Sequence, residues 1–326
     1  MLPTKNKMKS TINGPYPRVG SELSDLIRKE LNKPQEKQSQ KIETLKTELA
    51  KETLNELKTA GIDIPNTGLI DVYDEISWPL EFANGIEFGG MKKIFHTNTH
   101  HREIIATGEI NLKKNLNIQT KAGTKIELPG PYTLACNTIK KGITPYNTIL
   151  DLAKGYAKFL NELIKPVQEQ TELIQFNEPS VIAYKKENFY LEKLQEVYCA
   201  LLEQIKTKTA VWTFYGKYDE KTLDILLSLP VDAVGLDFVW HPEVLELLKK
   251  KSPKQGIGFG IIDCADRGNI FLENTQDIVK KIKELEGCVD FSKSYIAPNA
   301  TLEHLPRDYA RKKAELTAQI CQEVNK

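Results

Sequence analysis

Glu178 and Asn177 stand at the end of a short apolar run, Leu173, Ile174 and Phe176, within the stretch LIQFNEPS at 173–180. Pro179 cannot continue a strand ladder and disfavours helix at Glu178, so the run must end there. An apolar run of this length, flanked by helical segments, reads as a buried parallel strand. A carboxylate at the carboxyl end of such a strand is where α/β folds place their ligand sites. The same pattern recurs along the chain. Asp237 closes one later apolar run and Asp263 another, which makes Glu178, Asp237 and Asp263 the candidate catalytic acids. Candidate substrate contacts at the other strand ends are Tyr16, Arg18, Asp71, Tyr73, Asn177, Thr213, Tyr215, Asp266, Arg267 and Asn269. Carboxylates in such a mouth accept hydrogen bonds from amino groups or move protons. The set suits a polar small molecule carrying amine and amide groups.

Two groups of residues raise the question of metal. His96, His100 and His101 cluster in one long connection, without an acidic or thiol partner at ligand spacing. Asp237, His241 and Cys264 follow neighbouring strands, but three donors of this kind leave a tetrahedral zinc site incomplete. His241 precedes Pro242 at a helix start and fits a loop or capping role. No metal ligand is assigned.

The elements that must position these residues alternate. Strands are expected near 10–13, 67–70, 125–128, 173–176, 209–214, 233–238, 256–262 and 295–297. Helices are expected at 21–31, 41–60, 75–83, 146–163, 191–205, 220–229, 242–249, 275–285 and 306–323. Alternation of this kind implies parallel βαβ units. The strand count is that of a (β/α)8 TIM barrel. A long excursion at 84–113 separates strands 2 and 3, with a hairpin expected between 91–96 and 103–107. A doubly wound sheet is the alternative, but no Gly-x-Gly-x-x-Gly follows the first strand. The chain is expected to form one domain over 1–326, with a loose tail at 1–9.

Composition narrows the function classes. The 326 residues carry Lys+Arg 45 against Asp+Glu 44, a net charge of +1. That balance lacks the basic footprint of nucleic-acid binding, and no apolar run approaches a membrane span of about 20 residues. The basic start MLPTKNKMKS has no apolar core of a secretory signal. The 5 cysteines are scattered, as in a reducing cytoplasm.

Taken together, the segments GPYPRVG, IPNTGLIDVYD, LPGPYTLA, IQFNEPS, LPVDAVGLDF, GFGIIDCADRGNIF and PNATLEHLP resemble the cobalamin-independent methionine synthases. These enzymes move a methyl group from methyltetrahydrofolate polyglutamate to homocysteine. The resemblance covers most of the chain. It implies two barrels in a long polypeptide, the C-terminal one carrying zinc, which holds the substrate thiol as the nucleophilic thiolate. It also implies that the positions matching the zinc donors are Thr213, Tyr215, Asp237 and Ala300 here, so that this chain is similar to the zinc-free N-terminal barrel standing alone and holds no cofactor itself. The expected role is a folate-binding or scaffolding component of a split synthase, partnered by a zinc-bearing chain, with the folate polyglutamate or an amino acid as ligand. Arg18 and Arg267 could meet glutamate carboxylates. Asn177 stands where the family commonly has Asp, which removes a charge from any substrate-ammonium contact. A self-sufficient methyltransferase with another thiol substrate, and a non-enzymatic folate- or amino-acid-binding barrel, are the alternatives.

Overall fold

The structure is a computed structural model that describes residues 7–18, 22–23, 25–26, 39–93, 95, 100–113, 118, 120–183, 191–264 and 270–326. Asp266, Arg267, Asn269 and His96 lie outside the described residues, as does most of the helix expected over 21–31.

The chain opens with β1 (Lys9–Ser10) and the long helix α1 (Ser39–Thr59). β2 (Ala83–Lys93) and β3 (His100–Leu112) pair antiparallel, longer than the expected hairpin and with Met91 opposite Arg102. β4 (Lys125–Pro129), α2 (Pro131–Cys136) and β5 (Thr138–Lys140) follow, β5 joining β3. From α3 (Ile149–Ile164) the alternation is regular: β6 (Leu173–Asn177), α4 (Ser180–Ala183), α5 (Leu194–Leu201), β7 (Thr209–Trp212), α6 (Glu220–Leu226), β8 (Ala233–Asp237), α7 (Val244–Lys249), β9 (Gly256–Ile262), α8 (Thr275–Lys283), β10 (Tyr295–Pro298) and α9 (Arg307–Val324). Side chains mark the helix starts. Thr148 and Asp151 form a reciprocal capping box on α3, Asp219 accepts from Thr222 N at 2.7 Å on α6, and Asn274 caps α8.

Seven strands make one curled parallel sheet, in the order β1-β10-β9-β8-β7-β6-β4. The strand expected at 67–70 is instead a turn. Pro65 removes a ladder donor, while Gly68 (φ +73) and Leu69 (φ +47) take left-handed conformations that no strand accommodates. No ladder closes the sheet there among the described residues; a parallel bridge between Thr11 and Ile64, Ile64 N–H donating to Ser10 O at 3.0 Å, and Lys125 N–H donating to Pro65 O at 3.0 Å lead across from one edge to the other. The helix expected at 75–83 is a single 3-10 stretch, Trp78–Phe82, before β2. Met8 and Lys9, expected in a tail, are held instead: Met8 is buried and its N–H donates to Asn325 Oδ1 at 3.0 Å.

Side chains alternate across each strand. Ile174, Phe176, Val211, Val234, Leu236, Ile257 and Phe259 pack outward in a large apolar layer with the covering helices. Leu173, Ala210, Trp212, Ala233, Tyr295 and Ala297 belong to a second core cluster. Trp212 sets its composition. A Cβ on Gly235 would lie 2.0 Å from Trp212 Cδ2, and one on Gly258 would lie 2.4 Å from Trp212 Cη2. Gly235→Ala is therefore expected to cost about 1–3 kcal/mol by overpacking, read as a fall in the urea midpoint at unchanged slope. An unchanged midpoint would show that the ring has room to move.

Candidate active site

Glu178 leaves β6 fully buried. Its carboxylate accepts from Tyr132 N at 3.0 Å, Thr133 N at 2.7 Å, Thr133 Oγ1 at 2.7 Å and Tyr198 Oη at 3.2 Å. It thus ties the start of α2 to β6 and α5. Gly130 is required beside it, since a Cβ there would lie 2.1 Å from Glu178 Cδ. Burial raises the Glu178 carboxyl to about 7, against the downward pull of these four donors.

A second cluster joins the ends of β7, β8 and β10. Asp237 is buried, and its Oδ1 accepts from Val239 N and Trp240 N at 3.0 Å each and from Asn299 Nδ2 at 3.3 Å. Burial pushes its carboxyl above the ordinary range, opposed by these donors and by His241. Tyr218 Oη accepts from Asp237 N at 2.9 Å and lies 2.9 Å from Thr213 Oγ1, which also donates to Gly235 O at 3.1 Å. Asn299 Oδ1 in turn accepts from Cys264 N at 3.0 Å.

Beneath the mouth lies a buried polar network. Lys125 pairs with Glu127 at 3.2 Å, both side chains fully buried, and also bonds Ile12 O and, at 2.6 Å, Gln175 Oε1. Glu127 accepts from Gly14 N at 2.6 Å, Asn177 Nδ2 at 2.8 Å and Asn66 Nδ2 at 2.9 Å. Gln175 Nε2 reaches Asn13 Oδ1 at 3.0 Å and Asn177 Oδ1 at 2.9 Å. Burial lowers the Lys125 ammonium, and Glu127 opposes that shift. Polar bonds between Glu127, Asn66 and Gly14 thus span the gap where the ladder is missing.

The other expected contacts are dispersed. Tyr16 donates to Glu56 at 2.5 Å, and burial drives its phenol upward. Arg18 donates to Val72 O at 2.8 Å and pairs with Glu303 at 3.4 Å. Tyr73 lies under the Arg102 guanidinium, 4.4 Å from its ring centroid, and Asp71 faces a side cavity. Asp263 is held through its backbone: its N–H donates to Glu273 at 2.5 Å and its carbonyl accepts from Lys313 at 2.7 Å. Tyr215 takes a left-handed backbone (φ +69) and gathers Phe214, Phe95 and Trp240 at centroid distances of 4.7, 6.0 and 6.3 Å.

Sequence reasoning passed over Lys125, Glu127, Gln175, Tyr198 and Tyr218. A signal for the first two was present, because polar residues two apart on a short apolar strand share one face. It also passed over Glu75, which is buried and makes no side-chain hydrogen bond among the described residues. Burial, followed by the charges of Glu303, Glu127 and Asp74, raises its carboxyl well above the ordinary range. Glu75 is thus a buried acid whose ionised form is disfavoured by its surroundings.

The positions matched to zinc donors do not fit a metal. Thr213 is bonded to Tyr218 and Gly235, Tyr215 sits in the ring cluster, Asp237 is occupied by N–H donors, and Ala300 has no donor atom. Cys264 Sγ is engaged with Ala300 O at 3.1 Å, and burial raises its thiol. His241 turns to Glu243 at 3.3 Å. Among the described residues no group of three His, Cys, Asp or Glu is arranged to hold a metal ion.

Comparison with known proteins gives consistent results. The family described as "Cobalamin-independent synthase, N-terminal domain" matches residues 89–290. A methionine synthase of Sulfurisphaera tokodaii is 25% identical over 317 residues, covering 93% of this chain and 88% of that protein. A 5-methyltetrahydropteroyltriglutamate–homocysteine methyltransferase of Bacillus cytotoxicus is 26% identical over 91% of this chain, which spans only 43% of that protein's length. A B12-independent methionine synthase structure from a Shewanella species, in complex with selenomethionine, superposes with a TM-score of 0.76 at 20% identity, over 98% of both chains. At that identity the likeness is one of fold.

Proposed function

The chain belongs to the cobalamin-independent synthase family, through its N-terminal domain, and from that premise we propose that it is the metal-free barrel of a split methionine synthase. In this reading it scaffolds a separate zinc-bearing chain and contributes to binding the methyltetrahydrofolate polyglutamate or an amino acid. The fold is then a single (β/α)8 barrel over the whole chain, closed at its second strand position by residues 64–65 and carrying β2 and β3 as its excursion.

One observation carries the reading: the mouth's polar groups are bonded to one another rather than held open for sulfur activation. Thr213, Asp237, Asn299 and Cys264 form one closed set, and Glu178 is fully engaged in bracing α2. Such a set makes a rigid rim and does not lower a thiol's pKa, the step that methyl transfer to sulfur requires. Glu75 is the exception. No side-chain hydrogen bond engages it among the described residues, and burial raises its carboxyl, which makes it a candidate to meet a ligand.

A partner surface is at hand on the same rim. Trp240 is 41% exposed after β8, and Phe271 and Leu272 are 80% and 50% exposed after β9. Exposed aromatic and aliphatic side chains at one end of a fold favour protein contact. No helix among the described residues is long and apolar enough to cross a membrane, and the five cysteines are free thiols, in keeping with work in the cytoplasm.

Reconstitution tests the proposal. Methyl transfer from methyltetrahydrofolate polyglutamate to homocysteine is expected to be absent with this chain alone and to appear when a zinc-bearing barrel chain is added. Phe271→Asp is expected to weaken that complex in sedimentation. Full turnover by either chain alone would refute the shared arrangement.

A further inference from the structure

A cavity of about 330 Å3 opens on the flank of the sheet, at the gap left by the missing second strand. Its size is that of a small-molecule site. Leu69, Val72, Trp78, Phe82, Ile118 and Ile126 supply the apolar part of its lining. Trp78 and Phe82 meet edge to face, with ring centroids 6.4 Å apart. Trp78 is buried, and its indole N–H has no acceptor among the described residues. A ligand's ring face or phenol oxygen would satisfy such a donor.

The charges around this cavity sort themselves. Glu43 pairs with Lys46, Glu81 with Arg102, and Glu127 with Lys125. Two opposite charges remain at the rim, Asp71 and Lys121, both exposed and neither in an ion pair among the described residues. Asp71 has only a long contact from Thr67 Oγ1, at 3.5 Å. A free carboxylate and a free ammonium beside an aromatic pocket are complementary to a zwitterion.

We propose that this cavity binds an α-amino acid with an aromatic side chain, its ammonium on Asp71, its carboxylate on Lys121 and its ring against Trp78 and Phe82. The site opens on the flank of the sheet and reaches Asn66, Lys125 and Glu127 of the network beneath the mouth, and it does not rest on the split-synthase reading.

Calorimetry on the full chain tests this with L-phenylalanine, phenethylamine, which lacks the carboxylate, and 3-phenylpropanoate, which lacks the ammonium. L-phenylalanine is expected to bind about tenfold or more tightly than either analogue. Asp71→Asn and Lys121→Met are each expected to weaken it by about tenfold, while Trp78→Phe tests the orphan N–H. Asp71 and Lys121 are exposed, so both variants should fold as the parent does, which a thermal melt checks. Absence of L-phenylalanine binding, equal binding of the analogues, or affinity unchanged in both charge variants would overturn the proposal. Because the readout is binding to this chain alone, failure of the reconstituted methyl transfer leaves the result untouched.

Discussion

Glu127→Ala is expected to destabilise the protein by about 3–5 kcal/mol, the usual effect of stranding a buried charge. Four groups lose a partner at once: the Lys125 ammonium, left with the neutral acceptors Ile12 O and Gln175 Oε1; Gly14 N; the Asn66 amide, left with Gly14 O; and the Asn177 amide. Lys125→Met is expected to cost less, because Glu127 would keep three N–H donors. The effect should also be local in kind. Glu127 links β4 to the 64–68 segment and the loop after β1, so hydrogen exchange should quicken there before it does at β8 and β9. Urea unfolding checks the magnitude. A loss below about 1 kcal/mol would mean that water replaces the carboxylate and that the gap in the sheet is not closed by this network.

The second large effect concerns Glu178. Its carboxyl titrates near 7 in the folded protein, against 4.5 ordinarily. Between those values the folded state holds the proton more tightly than the unfolded chain. The associated stability is full below pH 4.5 and is lost as pH rises through about 7. The gap corresponds to something on the order of 3 kcal/mol. Asp237, whose carboxyl is also raised by burial, acts in the same direction. Glu178→Gln is therefore expected to flatten the fall in stability across this window, leaving only the share due to Asp237 and other groups. Glu178→Ala should instead be destabilised at every pH, since the two N–H groups at the start of α2 and the Tyr198 hydroxyl lose their acceptor. Denaturant midpoints across the window test both variants. Parallel pH profiles for Glu178→Gln and the parent would show that this carboxyl does not titrate there.

Much of the architecture is legible from local pattern. The apolar run ending at Pro179 marks β6, and the regular spacing of later runs marks β7 to β10 with their helices, because buried parallel strands need apolar residues on both faces. The pattern misleads where backbone conformation overrides composition. Residues 67–70 include Leu69 and Ile70 and so resemble a strand, yet Gly68 and Leu69 adopt positive φ and make a turn. Pro129-Gly130-Pro131 reads equally as a proline turn or as the start of a helix, and the structure has the helix, with Pro131 at its first position, where its missing N–H costs nothing. The candidate site was legible in kind and less so in grouping. Placement of Glu178 and Asp237 at strand ends follows from chain order. Their engagement with Thr133, Tyr198 and Asn299 depends on partners far away in sequence, which no local window contains. Glu75 was hidden for the same reason, since its carboxyl is raised by burial and by the distant carboxylates of Glu303 and Glu127.

We propose above that the mouth of this sheet holds itself together and leaves thiol activation to another chain. The most direct measurement is the zinc content of the purified protein after dialysis against free zinc. The account predicts a trace amount, unchanged by Cys264→Ala. Stoichiometric zinc that is lost in Cys264→Ala would contradict it.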